Sequence, residues 1–285
     1  MNNYIDYPPG VGSGVLTDNT GHLEASLDSV APGHGKLISI SGILSPYGPI
    51  EPNEEMDWYP DSTHFVSDTL VVKGTLRIHP GTLVKVCDCS DGIIVKPGGH
   101  LAILGTADSL VTIEGVNPDS LHANIKLCGS GTDTIQYCNI SNLNYGVSYG
   151  QKRIVVLKHC NISNCNTGVF SIGDGTLKMD ICTVAGSHWE GVFLAEGDEG
   201  RIRACTITGS GECGIRSHGV KSTFRVGYNS IDGNCSNLDS TLEAMHTYHC
   251  SPEIYANYVE NNHQDGMGMY NDAYPVMNKS IDLSI

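Results

Sequence analysis

The chain repeats itself. Aligned on one column, "IQYCNISNLNYGV" from Ile135, "LKHCNISNCNTGV" from Leu157, "MDICTVAGSHWEGV" from Met179, "IRACTITGSGECGI" from Ile202, "VGYNSIDGN" from Val226, "IYANYVENNHQDGM" from Ile254 and "VMNKSI" from Val276 follow at spacings of 22, 22, 23, 24, 28 and 22 residues. An apolar residue opens each copy, and a second apolar column follows at Ile140, Ile162, Val184, Ile207, Ile231, Val259 and Ile281. Glycine followed by Val, Ile or Met recurs at Gly146, Gly168, Gly191, Gly214 and Gly266. Such a period marks a solenoid, in which each unit buries its apolar residues only by stacking on its neighbours.

No copy contains a helical pattern, and the dense leucine motif of leucine-rich repeats is missing. Short β-type runs broken by Asn, Ser and Gly suit a parallel β-helix with three strands per turn, each pairing with its equivalent about 4.8 Å away. The column Cys138, Cys160, Cys182, Cys205, Asn229, Asn257 is then an internal corner ladder. Asn serves there by hydrogen bonding along the stack, Cys as a small hydrophobe. The chain has 11 cysteines, none before Cys87. Stacked strands rarely orient both Cβ vectors for a disulfide, so reduced structural thiols are expected, with some disulfides as the alternative. Cys87-Asp88-Cys89 is a lone C-x-C with no second pair, unlike a zinc site.

The rung I-x-x-N/C-x-I followed by G-[IV] resembles the right-handed parallel β-helix, pectate-lyase-like superfamily from about Ile135 to Ile281. Upstream, "DTLVVKGTLRIHPGTLVKV" and "GIIVKPGGHLAILGTADSLVTIEG" (Asp68 to Gly115) are similar to the opening rungs of extracellular bacterial β-helix proteins. The resemblance implies an all-β fold, a right-handed parallel β-helix of 22–24-residue rungs over residues 58–285. It also implies an extracellular or cell-surface setting. Residues 1–57 lack the rung pattern and are expected to form an N-terminal β/loop cap or linker. Within them "KLISISGIL" (Lys36 to Leu44) alternates as a strand does, and "SPYGPIEPNEEMDWYP" has the proline and acid content of a loop. The sequence stops inside a rung, and a continuation beyond it is expected, since stacked repeats end in an atypical cap.

A formal net charge of −15 repels phosphate backbones and argues against a nucleic-acid partner. It also repels anionic polysaccharides unless Ca²⁺ or a local basic patch intervenes. No apolar run approaches the ~20 residues of a membrane-spanning helix. "MNNYIDYPPGVGSG" shows no charged start followed by an apolar stretch, so no secretory signal is visible. The expected state is a monomer or one piece of a longer multidomain chain.

The strand after the repeat glycine should point Val147, Val169, Val192, Ile215, Met245 and Met267 inward. One outward column is then Ser148, Phe170, Phe193, Arg216, His246, Gly268; the next is Gly150, Ile172, Ala195, His218, Tyr248, Tyr270. This register requires a loop insertion over about Asp232 to Glu243. Preceding loops add His188, Trp189, Glu190, Glu212, Glu243, His263 and Asp265. In the superfamily this face is the usual polysaccharide cleft. Phe170, Trp189, Phe193 and Tyr270, with Glu190, Glu212 and Asp265, are the expected ligand-binding residues. Aromatic faces suit sugar rings and Arg suits a uronate carboxylate.

Catalysis by β-elimination needs a carboxylate neutraliser and a base; Arg216 serves as either, and His218, His246 or Tyr248 as base. A hydrolase would need paired carboxylates on successive turns, and no such Asp set is found. Ser217-His218-Gly219 is similar to a hydrolase histidine motif without that set. The superfamily's functional residues therefore do not carry over position by position. Ca²⁺ is the one cofactor the acids suggest, on this face or at "EGDEGRIR" through Glu196, Asp198 and Glu199, where a solvated turn is the competing reading. His246 and His249, three apart, offer two imidazoles to a metal. The leading expectation is a carbohydrate-binding or adhesive module whose partner is a polysaccharide or cell-surface glycan; a polysaccharide lyase and a structural spacer are the alternatives.

Overall fold

The computed structural model describes residues 42–45, 48–237, 242–271, 273–274 and 276–278. Every regular element among them is a short strand, and every strand pairing is parallel, with its partner one turn away. Three sheets run the length of the coil. Sheet 1 has ten strands, from Gly42–Ser45 to Tyr258–Glu260. Sheet 2 has nine, from Leu70–Val72 to Met267–Tyr270. Sheet 3 has ten, from Glu55–Trp58 to Val276–Asn278. One turn runs through sheet 3 (Gly131–Gln136), sheet 1 (Cys138–Ser141) and sheet 2 (Tyr145–Tyr149) before re-entering sheet 3 at Arg153–Lys158.

The repeat columns are the register. Ile135 pairs with Leu157, then Met179, Ile202, Val226 and Ile254, all buried. Alternation along each strand sends every second residue inward, as in Thr75–Ile78 and Leu83–Val86. The inward Val, Ile and Leu fill the coil. Each such side chain removed from water contributes roughly 1.5–3 kcal/mol.

Two corners turn on single left-handed residues. Between sheets 1 and 2 these are Asn142, Asn164, Gly186, Gly209, Gly233 and Asn261, the residue types that adopt positive φ most cheaply. Between sheets 3 and 1 they are Tyr137, His159, Ile181, Ala204, Tyr228 and Ala256, at φ 48–58°. None is Asn or Gly, and a β-branched Ile there is strained. The residue immediately after each is the ladder position, whose hydrogen bonds hold the corner. Gly146 and Gly191 are required for another reason: a Cβ on either would come within 2.6 Å of an Ile methyl of the next turn.

The expected ladder is present. Cys138, Cys160, Cys182, Cys205, Asn229 and Asn257 are all buried, and the four thiols are free. Among the 11 cysteines one disulfide joins Cys87 to Cys89, outside the ladder. A second ladder, not foreseen, lines the other corner. Asn234 Nδ2 donates to the Ile207 carbonyl and to Asn262 Oδ1, while Asn234 Oδ1 accepts the Ser210 N–H at 3.0 Å.

Stacking also begins earlier than expected. Strand Gly42–Ser45 and Ile50, which bridges to Val72, lie before the 57/58 boundary, and strand Glu55–Trp58 straddles it. "SPYGPIEPNEEMDWYP" is therefore partly rung: Trp58 and Ile50 are buried under the next turn, and Pro49, Pro52 and Pro60 lie outside the strand. Residues 1–41, which include most of the expected cap strand, lie outside the described residues. So do 238–241 of the insertion and 279–285, with Ile281.

The acids and the arginine buried inside the coil are paired. Arg153 and Asp133 are both fully buried. The guanidinium donates to both Asp133 oxygens and to the Gly99 and Ser130 carbonyls. Breaking such a pair strands a buried charge and costs about 3–5 kcal/mol. Asp198 corrects the "EGDEGRIR" expectation. Its side chain is buried, accepting from Tyr149 Oη at 3.2 Å and the Gly175 and Ala195 N–H groups at 2.9 and 3.0 Å. It is shielded from solvent because the turn folds it inward. Burial raises its carboxyl pKa despite those bonds. Glu199 pairs with Lys221 instead.

Candidate functional site

Sheet 2 presents the expected outward columns. Val169–Val192–Ile215–Met245–Met267 are register partners on the inner side. Phe170–Phe193–Arg216–His246–Gly268 are partners on the outer side, so the register across the insertion is as read from the sequence. His218, Tyr248 and Tyr270 fall in the next outward column.

The face divides into two clusters. In the first, half-buried rings stack along the coil: Tyr145 on Phe170 at 4.3 Å and Phe170 on Phe193 at 5.2 Å, each within 17° of parallel. The Arg216 guanidinium ends the row, 5.6 Å from the Phe193 centroid. Arg216 donates to Glu190 Oε1 at 3.1 Å, and Glu190 Oε2 accepts from the Thr167 hydroxyl at 3.1 Å. Glu190 is therefore not a free loop acid but a buried support. Glu212 sits close enough to feel both charges. Burial first, then Glu190, raises its carboxyl pKa against the lowering effect of Arg216. Trp189 is exposed at the corner and takes no part in the ring row.

In the second cluster His246 Nδ1 lies 2.7 Å from Glu243 Oε2, and Tyr270 donates its hydroxyl to Glu243 Oε1. The His246 and Tyr270 rings stack at 4.9 Å. Burial pushes the Glu243 carboxyl up, but the bonds from Tyr270 and His246 outweigh it and hold its pKa below the ordinary value. Hydrogen bonding to Glu243 raises the Tyr270 phenol in turn. Asp265 is exposed nearby and acts on Tyr270 only through its charge. His218 lies apart, tilted against Tyr248 at 5.1 Å and His249 at 6.3 Å.

Glu243, Thr167 and Tyr145 organise this face; Glu243 was expected only as a loop residue beside it, and Thr167 and Tyr145 were not expected there. The signal was present: with Glu190 and Asp265 they occupy the position just before the repeat glycine or its substitute Ala244. His246 and His249 do not converge on a metal, since His246 turns to Glu243 while His249 packs against Tyr248. Among the described residues the one trio with ligand atoms within 4.8 Å of one another is Cys87, Asp88 and Cys89, whose sulfurs are joined to each other.

A family profile described as "right handed beta helix region" matches residues 91–247, more than half of the sequence. The chain belongs to the right-handed β-helix family. That match covers both outward columns from Phe170 to His246 and gives the coil its hand. No curated protein and no solved structure shows significant similarity to this β-helix. No helix among its described residues is long and apolar enough to cross a membrane.

Proposed function

We propose that this β-helix is an extracellular or cell-surface module that binds carbohydrate on sheet 2. The observation that carries the reading is the continuous row of Tyr145, Phe170 and Phe193 ending in Arg216. Rings stacked face to face turn their edges outward, so the row offers a continuous apolar ribbon along which the C–H surfaces of consecutive sugars can lie. The charges around the row favour a neutral glycan: Glu190, Glu212, Glu243 and Asp265 outnumber Arg216, whose guanidinium is already held by Glu190. Affinity electrophoresis in gels containing xylan, galactomannan or mixed-linkage glucan tests this. Retardation that Phe193→Ala weakens about tenfold is expected. No retardation in any neutral glycan removes the reading.

β-Elimination is the second reading, favoured by one arrangement: Arg216 and His246 are register partners on adjacent turns, and Glu243 orients the imidazole. That is a neutraliser beside a candidate base. Absorbance of unsaturated uronide product, on pectate and alginate with and without Ca²⁺, separates the two. A rise abolished by Arg216→Ala would make the protein a lyase.

A further inference from the structure

Sheet 3, on another side of the coil, differs in charge from the rest of the molecule. Its outward column holds Lys178, Arg201 and Arg225 as register partners on successive turns. The neighbouring column holds Lys158, Asp180 and Arg203. With Lys221 this makes six cations, against the acids Asp180, Glu199 and Glu253. They sit on a chain with only 16 Lys and Arg in all and a net charge of −15. The concentration on one face is therefore not what an acidic surface supplies by chance.

The arginine forks are partly engaged: Asp180 takes Arg201 and Arg203, and Glu253 takes Arg225. The Lys158 and Lys178 ammonium groups are in no ion pair among the described residues. Between the turns lies an open depression of about 280 Å³ lined by Thr176, Lys178, Glu199, Arg201, Thr223 and Arg225. That is below the roughly 300–1,000 Å³ of an enclosed small-molecule site. Along the corner beside it runs an exposed apolar ridge, with Ile181 52% and Tyr228 63% exposed. Tyr228 is braced edge-on by Tyr255 at 5.4 Å.

We propose that sheet 3 is a docking surface for a linear sulfated polysaccharide laid along the coil axis. Cations repeat once per turn, about 4.8 Å apart, so a polyanion on this line meets a new one at each step. The forks that would orient a planar carboxylate already hold carboxylates of this chain. What remains open is unoriented ammonium charge beside threonine hydroxyls, which suits a tetrahedral sulfate ester. The ridge supplies a ledge for the sugar faces. A nucleic-acid duplex, with a broader footprint, would meet the acidic surface around the patch. The surface shares no residue with the ring row on sheet 2, so this inference stands or falls independently of that reading.

The test is isothermal titration of the whole chain with dextran sulfate, which carries sulfate and no carboxylate. Polygalacturonate, uncharged dextran and single-stranded DNA are run alongside, all in EDTA and at two salt concentrations. Binding to dextran sulfate that weakens with salt and exceeds the other three is expected. The double variant Lys158→Gln/Lys178→Gln should lose on the order of tenfold in affinity. Its thermal midpoint should not move, because neither lysine is paired. Arg216→Ala, on sheet 2, should leave the affinity for dextran sulfate unchanged. The proposal is overturned by absence of binding at low salt, by tighter binding to polygalacturonate or DNA, or by a loss that follows Arg216→Ala and spares the lysine variant.

Discussion

At Cys205 the corner ladder changes chemistry. The N–H of Cys182 meets the Cys205 sulfur at 3.4 Å, whereas the N–H of Cys205 meets Asn229 Oδ1 at 2.9 Å and that of Asn229 meets Asn257 Oδ1 at 3.0 Å. One slot thus accepts a soft acceptor or a hard one, provided the side chain is small. Cys182, hydrogen-bonded with Cys160 and buried, has its thiol pushed up to about 12, so it behaves as packing and not as a nucleophile. Asn229 also donates to the Ile202 carbonyl. Asn229→Ala orphans two buried backbone groups and should cost about 2–4 kcal/mol in chemical denaturation. Asn229→Cys, which extends the thiol run, should cost less. Equal losses would mean that the ladder acts only through volume. The first ladder was legible from its spacing alone. The second was not, because its residues, Cys165, Ser187, Ser210, Asn234 and Asn262, share no single chemical type.

Among the elements, the outward columns of sheets 2 and 3 show how a strand position acquires a role from its neighbours. Asp180 looks like one acid among many in the sequence. The turn that follows brings Arg201 and Arg203 onto it, and their bonds and charges outweigh the cost of burial and hold its carboxyl pKa below the ordinary value. A depressed carboxylate stabilises the fold above its unfolded pKa of about 4. That contribution is lost as pH falls through the lower folded value. Denaturant midpoints should therefore fall as pH drops below about 4, and less steeply in Asp180→Asn. An unchanged slope in the variant would show that the pair adds nothing to the fold. Phe170, Phe193 and Arg216 could be placed on one face from the period, and the structure keeps them there. The roles of their partners could not be read, since Glu190 before Gly191 and Glu243 before Ala244 look like loop acids until the corner turns them inward.

The whole molecule is a stack in which each turn touches little beyond its neighbours. Ile202 and Val226 occupy equivalent register positions. Deleting residues 202–225 joins Arg201 to Val226 and should leave a shorter coil. The β signal in circular dichroism should persist, with a lower denaturation midpoint, as expected when stability sums over repeats. Loss of the folded state would mean that long-range ties outweigh nearest-neighbour stacking. Such ties exist: Tyr149 reaches Asp198 two turns on, and Arg153 reaches Gly99 two turns back.

The sequence alone determined the coil, its register and the inward columns, because stacking repeats each constraint at every turn and writes it as a period. Only the tertiary structure decided which charges neutralise one another, which acids face inward, and that the cations gather on sheet 3 away from the aromatic row. Those outcomes depend on which residues the turns above and below supply, and a column read one copy at a time does not contain them.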